Sequence, residues 1–213
     1  RNLLYGQQAS PVRKIYGRPD NPSNPAPPEA HLEVFPYVFT AARLTEHHTA
    51  GGMSRQLPYL SELQPALFVE VSPELASERG LRHLDWAHVI TSGTAVEARV
   101  FVTDRMVPLR VDGRVVHQVW MPYHWGQTGL TTGDVVNDLV GVFADPNVFI
   151  QESKVLTCDV RPGRRPRGPA LLDYVASYRR RAGVTPETGT QVLTTTDGHS
   201  PAHTEAAQTE EDR

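Results

Sequence analysis

The sequence predicts a mainly β fold, a small closed barrel with one or two short helices. Three observations carry that prediction. Short apolar runs recur along the chain, several with period-two alternation, the pattern of strands that bury one face. Asp112-Gly113 stands between two such runs, Val107–Val111 and Arg114–Met121, and supplies the residue types that a tight hairpin turn demands. Only one helix is strongly punctuated. It starts at Ser72-Pro73-Glu74, where Ser can cap, Pro suits the first turn and Glu suits the positive end, and it stops at Gly80.

Taken in order, the first strand is expected over Val34–Ala41 and the second over Leu67–Val71. Trp86–Thr91 is a third, turned at Gly93-Thr94 into Ala95–Thr103. There Val96, Ala98, Val100 and Val102 share one face and Glu97 and Arg99 the other. The Asp112-Gly113 hairpin follows, then a short helix over Gly133–Val142 and a last strand over Ser153–Val160. A helix over Ala170–Ala182 would place Leu171, Leu172, Val175 and Tyr178 together and end on Arg179-Arg180-Arg181, which suits a helix C-terminus.

Length and composition bound the function. A chain of 213 residues is room for one domain with ragged ends. Residues 1–33 read as an irregular arm punctuated by Asn21-Pro22, Asn24-Pro25 and Pro27-Pro28. Residues 34–160 read as the barrel. Residues 161–213 read as a basic then polar tail, largely disordered, because after about residue 183 almost no large apolar side chain remains. With 21 basic and 24 acidic residues the net charge is −3, which does not suit a nucleic-acid binder. No apolar run is long enough to read as a membrane helix. The single Cys158 excludes a disulfide framework within the chain and any site of several thiolates; its place in an apolar strand reads as core. The chain opens on Arg1, which reads as a processed chain or as a piece of a longer one.

Three segments could carry chemistry. Arg43-Leu-Thr-Glu-His-His-Thr49 with Gly51-Gly52 follows a strand, and offers a guanidinium fork, hydroxyls and small residues that let backbone amides approach an anion. The plain alternative is a polar loop with a solvated Arg43–Glu46 pair. Pro122-Tyr-His-Trp-Gly126 is an aromatic cluster, either beside a ligand or plugging the barrel. Gly133-Asp-Val-Val-Asn137, Asp145-Pro-Asn147 and Glu152-Ser-Lys154 add an amide that donates and accepts, and one of only two lysines. Their plain readings are capping, a turn and a surface lysine. Zinc at His47-His48 is disfavoured, since neighbours on an extended chain point apart. No nucleophile elbow or phosphate loop is present.

In this order the segments resemble the C-terminal molybdopterin-dinucleotide-binding domain of the dimethyl-sulfoxide-reductase superfamily, and within it the large (alpha) subunit of formate dehydrogenases. The residues that carry the resemblance are Thr40–Thr49, Ala66–Ala76, Val115–Gly126, Gly133–Asn137, Asp145–Asn147 and Glu152–Lys154. The resemblance implies a double-psi β-barrel. It implies two molybdopterin guanine dinucleotides per full subunit holding molybdenum or tungsten, and an iron–sulfur cluster elsewhere in that subunit. By resemblance Arg43, Leu44 (through its backbone), Thr45, His47, Thr49, His124, Trp125, Asn137, Ser153 and Lys154 line one dinucleotide, and no residue here is catalytic or a metal ligand.

The implied partners are the rest of the large subunit, an iron–sulfur electron-transfer subunit and a membrane cytochrome subunit. The implied compartment is the outer face of the cytoplasmic membrane, with the cytoplasm as alternative. Other substrates of the superfamily, such as nitrate, and a cofactor-free barrel used as a binding module are the competing readings. One departure stands out. The family carries Gly-Asp in the turn after the helix, whereas this chain has Leu84-Asp85, so position 84 must avoid positive φ or accept strain.

Overall fold

In the computed structural model the described residues are 29–111, 113–140, 150 and 154–184. Six strands close a barrel in the order β1 (Tyr37–Ala42), β7 (Gln118–Pro122), β2 (Phe68–Val71), β4 (Ala95–Val102), β3 (Trp86–Ile90) and β8 (Val155–Pro162). β1 runs parallel to β7, and β2 runs parallel to β4; the other pairings are antiparallel. Among the barrel strands only β3 and β4 are both consecutive in sequence and paired, so the connections interleave as the expected double-psi barrel requires.

Period-two alternation decides what fills the barrel. Phe39, Val69, Val71, Ala87, Val89, Val100, Val119, Met121, Cys158 and Val160 are fully buried in one interior cluster. Each large apolar side chain so placed stabilises the fold by about 1.5–3 kcal/mol. Burial also pushes the Cys158 thiol well above its ordinary pKa, as a core residue should show.

The capped helix is present as α3 (Pro73–Arg79). The Ser72 hydroxyl accepts from the Leu75 amide, and Gly80 ends the helix at φ +66°. Two short elements went unread in the sequence, a 3₁₀ turn at Ser54–Gln56 and α2 (Pro58–Leu63).

Other expectations are corrected. The strand expected over Val34–Ala41 begins only at Tyr37. Val34 instead ends α1 (Glu29–Val34), and Pro36, with no N–H to give a ladder, separates the two. Val34 and Phe35 are buried in a second cluster outside the barrel. The run Arg114–Met121 is two strands broken at His117. β5 (Leu109–Val111) and β6 (Arg114–Val116) form a separate hairpin whose Leu109, Val111 and Val115 are exposed, and Gly113 turns it at φ +76°. The helix expected over Gly133–Val142 is a 3₁₀ turn at Val136–Leu139, with 141 and 142 outside the described residues.

The segment after residue 160 is not a detached tail as far as residue 184. β8 reaches Pro162, and α4 (Pro169–Arg181) packs Val175, Tyr178 and Ala182 against Phe35, Ile90 and Ala95. Its buried face uses Tyr174, not Leu172, which is exposed; Leu172 lies one position, about 100° around the helix, from Leu171. A polar seam reinforces this packing. Buried Asp159 is held by Arg79 at 3.1 Å and Arg161 at 2.7 Å and accepts from the Tyr178 hydroxyl. The remaining readings at 1–28, Asp145-Pro146-Asn147, Ser153 and 185–213 lie outside the described residues.

Leu84 accepts the strain that its position imposes, at φ +67°. Its amide donates to the Val100 carbonyl at 2.8 Å and its carbonyl accepts from Arg99, so β4 holds the turn in place. The side chain is exposed and contributes little packing. Leu84→Gly would relieve about 1–2 kcal/mol of left-handed strain against about 0.5–1 kcal/mol of added chain entropy. A net gain of about 0.5–1 kcal/mol is expected, while Leu84→Val should lose stability, its branched Cβ fitting positive φ worse. Urea midpoints of the two variants shifting in the same direction would contradict this account.

Candidate functional site

Parallel pairing puts two loops side by side. Ala42 lies opposite Pro122 at the last step of the β1–β7 ladder, so 43–49 and 123–127 leave the barrel at one end. β8 runs antiparallel to β1 and therefore starts at that end; the Lys154 carbonyl accepts from the Ala41 amide at 3.3 Å. The β3–β4 turn and the 3₁₀ turn that carries Asn137 also lie there.

His124 fastens the two loops together. Its fully buried ring accepts the Leu44 amide at Nε2, at 2.8 Å, and its Nδ1–H donates to the Thr49 carbonyl. These partners fix the tautomer. Burial pushes the ring's pKa below the ordinary histidine value, against the pull of the Thr49 carbonyl. Thr49 sits at φ +47°, unusual for a β-branched residue, and its carbonyl is one end of this fastening. His47 is buried too. It bonds Ser54 Oγ through Nδ1 at 3.2 Å and the Gln64 carbonyl through Nε2 at 3.0 Å. Both histidines expected to line a dinucleotide thus have both ring nitrogens engaged within the chain. They shape the site and do not present free ring nitrogens to it.

The free donors lie outside this knot. Arg43 and Lys154 reach over the Tyr123 ring, at 5.8 and 5.5 Å from its centroid, and neither forms an ion pair among the described residues. The Arg43–Glu46 pair of the plain reading is not formed. Tyr123 stacks on His124 at 4.8 Å and was not among the expected site residues; an aromatic next to the predicted histidine was its only signal. Thr45 and Thr49 are exposed. Leu44 has its amide engaged by His124. Trp125 is buried edge-on to His47, at 5.1 Å, and its indole N–H has no acceptor among the described residues. Asn137 is exposed four residues beyond Gly133, which packs against Trp125. The predicted residues are therefore gathered at one barrel end, apart from Ser153, which lies outside the described residues.

Sequence reasoning missed Arg55. It is buried, and its guanidinium donates to the carbonyls of His124 at 2.9 Å and Thr131 at 3.0 Å, with no carboxylate partner among the described residues. Burial lowers its pKa. Gly51, Gly126 and Gly129 surround it, each lacking a Cβ that would meet the guanidine group at about its van der Waals limit or closer. Gly51-Gly52, read from sequence as an anion cradle, works differently. The Gly51 amide donates to the His48 carbonyl at 2.8 Å, and a Cβ at Gly51 would lie 2.0 Å from the His124 carbonyl oxygen. The glycine makes room for the chain itself. No group of three or more His, Cys, Asp or Glu among the described residues is arranged to hold a metal.

Comparison with known proteins adds the context. The family described as "Molydopterin dinucleotide binding domain" matches residues 37–156. Formate dehydrogenase 2 subunit alpha (cytochrome c-553) of Nitratidesulfovibrio vulgaris is 39% identical over 156 residues, covering 73% of this chain and 15% of that protein. Formate dehydrogenase subunit alpha of Megalodesulfovibrio gigas is 34% identical over 127 residues, 59% of this chain and 12% of that protein. The nitrate-inducible formate dehydrogenase major subunit of Escherichia coli is 35% identical over 129 residues, 60% and 12%. The chain thus spans 15% or less of the length of these relatives.

Two outcomes test the site's construction. Gly51→Ala should cost more than about 2 kcal/mol, because the new Cβ meets a backbone carbonyl at positive φ, whereas Gly52→Ala meets nothing within 4 Å and should be near neutral. Equal urea midpoints would refute it. The second outcome concerns acid. A histidine whose folded pKa lies below its unfolded value of 6.5 contributes full stability above that pH and loses it as the pH falls toward the folded value. His88 carries the same sign. Stability should therefore drop as the pH falls below 6.5, and His124→Gln should show a smaller drop than the unaltered protein when unfolding is followed as the pH is lowered.

Proposed function

This chain belongs to the molybdopterin dinucleotide binding domain family, and from that premise we propose that it is the C-terminal cofactor-holding domain of a formate dehydrogenase large subunit. The observation that carries the proposal is the convergence of Arg43, Lys154, Trp125 and the Asn137 turn on one barrel end, in a chain whose relatives are named as formate dehydrogenase large subunits.

The residues present fit a dinucleotide. Such a cofactor is long, flat and doubly phosphorylated, and asks for scattered donors. Arg43 and Lys154 offer two cations with no carboxylate partner among the described residues, suited to phosphate oxygens. The Trp125 N–H is a buried donor with no acceptor among the described residues, which suits a cofactor acceptor. His124, His47 and Arg55 hold the loops that present these groups. The cofactor of this reading is a molybdopterin guanine dinucleotide, two in the full subunit, with molybdenum or tungsten. When bound, the metal and its pterins supply the redox chemistry, in which formate gives carbon dioxide, a proton and two electrons.

In the same reading the electrons leave through an iron–sulfur cluster elsewhere in the large subunit to an iron–sulfur subunit and a membrane cytochrome. The compartment is the outer face of the cytoplasmic membrane. The rest of the large subunit would cover Met53, Leu57, Tyr59, Leu63 and Leu130, which are exposed beside the site. The length of the relatives beyond the matched region supplies such a cover.

The test uses the full-length enzyme. Arg43→Ala with Lys154→Ala should lower bound pterin dinucleotide about tenfold or more, with formate-dependent dye reduction falling in proportion. Undiminished cofactor content in the double variant would sink the assignment of these two residues. An unaltered enzyme without pterin would sink the cofactor reading itself.

A further inference from the structure

We propose that Gly163–Val184, which follows the family match, is a brace that positions the Asn137 turn for the dinucleotide, and this rests on the cofactor reading above. Two independent grips join this segment to the turn. The first is Arg165. Its Nε and Nη2 donate side by side to the Asp134 carboxylate, at 2.6 and 2.9 Å, in a pair that is mostly sheltered from water. Asp134 also accepts the Glu97 amide at 3.0 Å, so one carboxylate ties the 133–139 loop to both the brace and β4. Glu97 in turn receives the Arg165 amide at 3.2 Å and the Arg167 guanidinium at 2.6 Å.

The second grip is Arg179 on α4. Its guanidinium donates to the carbonyls of Ser92 and Gly93 in the β3–β4 turn. That turn presses directly on the 3₁₀ turn. The Thr91 hydroxyl donates to the Leu139 carbonyl at 2.8 Å, and a Cβ at Gly93 would lie 3.2 and 3.3 Å from the carbonyl oxygens of Leu139 and Asp138. The turn that carries Asn137 is therefore linked to the brace from both sides. The apolar face of α4 anchors the grips through Val175 and Tyr178 against Ile90 and Ala95, at the same hairpin.

Such a brace has a physical purpose. The Asn137 side chain is exposed, and none of its hydrogen bonds is satisfied among the described residues. The turn itself has only one short 3₁₀ segment and no side-chain cap. An amide that must offer donor and acceptor together to a flat ring needs its backbone fixed to a fraction of an ångström. Val136 and Leu139 bury into the barrel core and fix the inner side of the turn, and the arginines from 163–184 fix its polar outer side. Arg165 and Arg179 are thus positioning residues that act through Asp134 and the β3–β4 turn.

The experiment uses the full-length enzyme with Arg165→Met, Arg165→Lys and the exchanged pair Asp134→Arg/Arg165→Asp. The readouts are guanine nucleotide released per polypeptide on denaturation, retention of that nucleotide through dilution, and hydrogen exchange of amides 133–139. Arg165→Met should release nucleotide about tenfold faster and raise exchange in 133–139, with the barrel strands protected as before. Arg165→Lys keeps the charge without the fork and should fall between the two, which a general loss of fold would not produce. The exchanged pair should recover part of the retention. Should Arg165→Met not accumulate, the lysine variant decides, with about two- to threefold faster release expected. Unchanged retention and exchange in the lysine and methionine variants would overturn the brace, as would exchange rising equally across the barrel. Absence of guanine nucleotide from the unaltered enzyme would overturn the cofactor reading instead.

Discussion

The site depends on one ring. Parallel pairing of β1 with β7 brings two loops to the same barrel end, but parallel strands share no turn that would lock those loops together. His124 does that locking, accepting the Leu44 amide on one nitrogen and donating a hydrogen bond to the Thr49 carbonyl from the other. The bond from the Leu44 amide requires the neutral ring, and burial favours that state. Arg55 holds the carbonyl of the same residue, so the 43–56 segment is tied to His124 at three places. The strained backbone of Thr49 persists because these bonds over-determine it.

Charge is distributed with the same logic. Elsewhere on the barrel, buried or half-buried carboxylates have arginines: Asp159 has Arg79 and Arg161, Glu97 has Arg164 and Arg167, Asp134 has Arg165, and Glu70 has Arg105. Around His124 and Tyr123 the order reverses. Arg43, Lys154 and Arg55 have no carboxylate partner among the described residues. A buried cation without an acid is costly unless carbonyls or an external anion compensate it. Carbonyls compensate Arg55, while the exposed pair over Tyr123 has no acid beside it among the described residues.

Much of this was legible in sequence where a residue type has one physical use. Ser72-Pro73-Glu74 and Gly80 defined a helix, Asp112-Gly113 a hairpin, and the alternation over Ala95–Thr103 the strand that fills the barrel. The double-psi topology and the site residues came from family resemblance, since no local pattern encodes which strands become neighbours. Roles were harder than membership. His47 and His124 are at the site, but their nitrogens face carbonyls, amides and a hydroxyl of distant loops, which no spacing announces. Arg55 was invisible because its partners are backbone atoms some seventy residues away. Gly51 misled because a glycine that admits a ligand and one that admits another strand of chain look the same.

The end of the chain makes the most instructive case. Composition read 161–213 as a tail, because Arg161-Pro-Gly-Arg-Arg-Pro-Arg has no apolar period. Arginines in an irregular segment are ordinarily solvated, and surface pairs contribute little. Here Arg165 and Arg167 meet Asp134 and Glu97, carboxylates that the folded chain shelters from water, so the guanidinium groups neutralise charges the solvent screens poorly. Order in such a segment is dictated by acids on the surface it crosses, Glu97 and Asp134, rather than by its own pattern. A basic, proline-broken run should therefore be weighed against the buried acids of its neighbours before it is read as disorder.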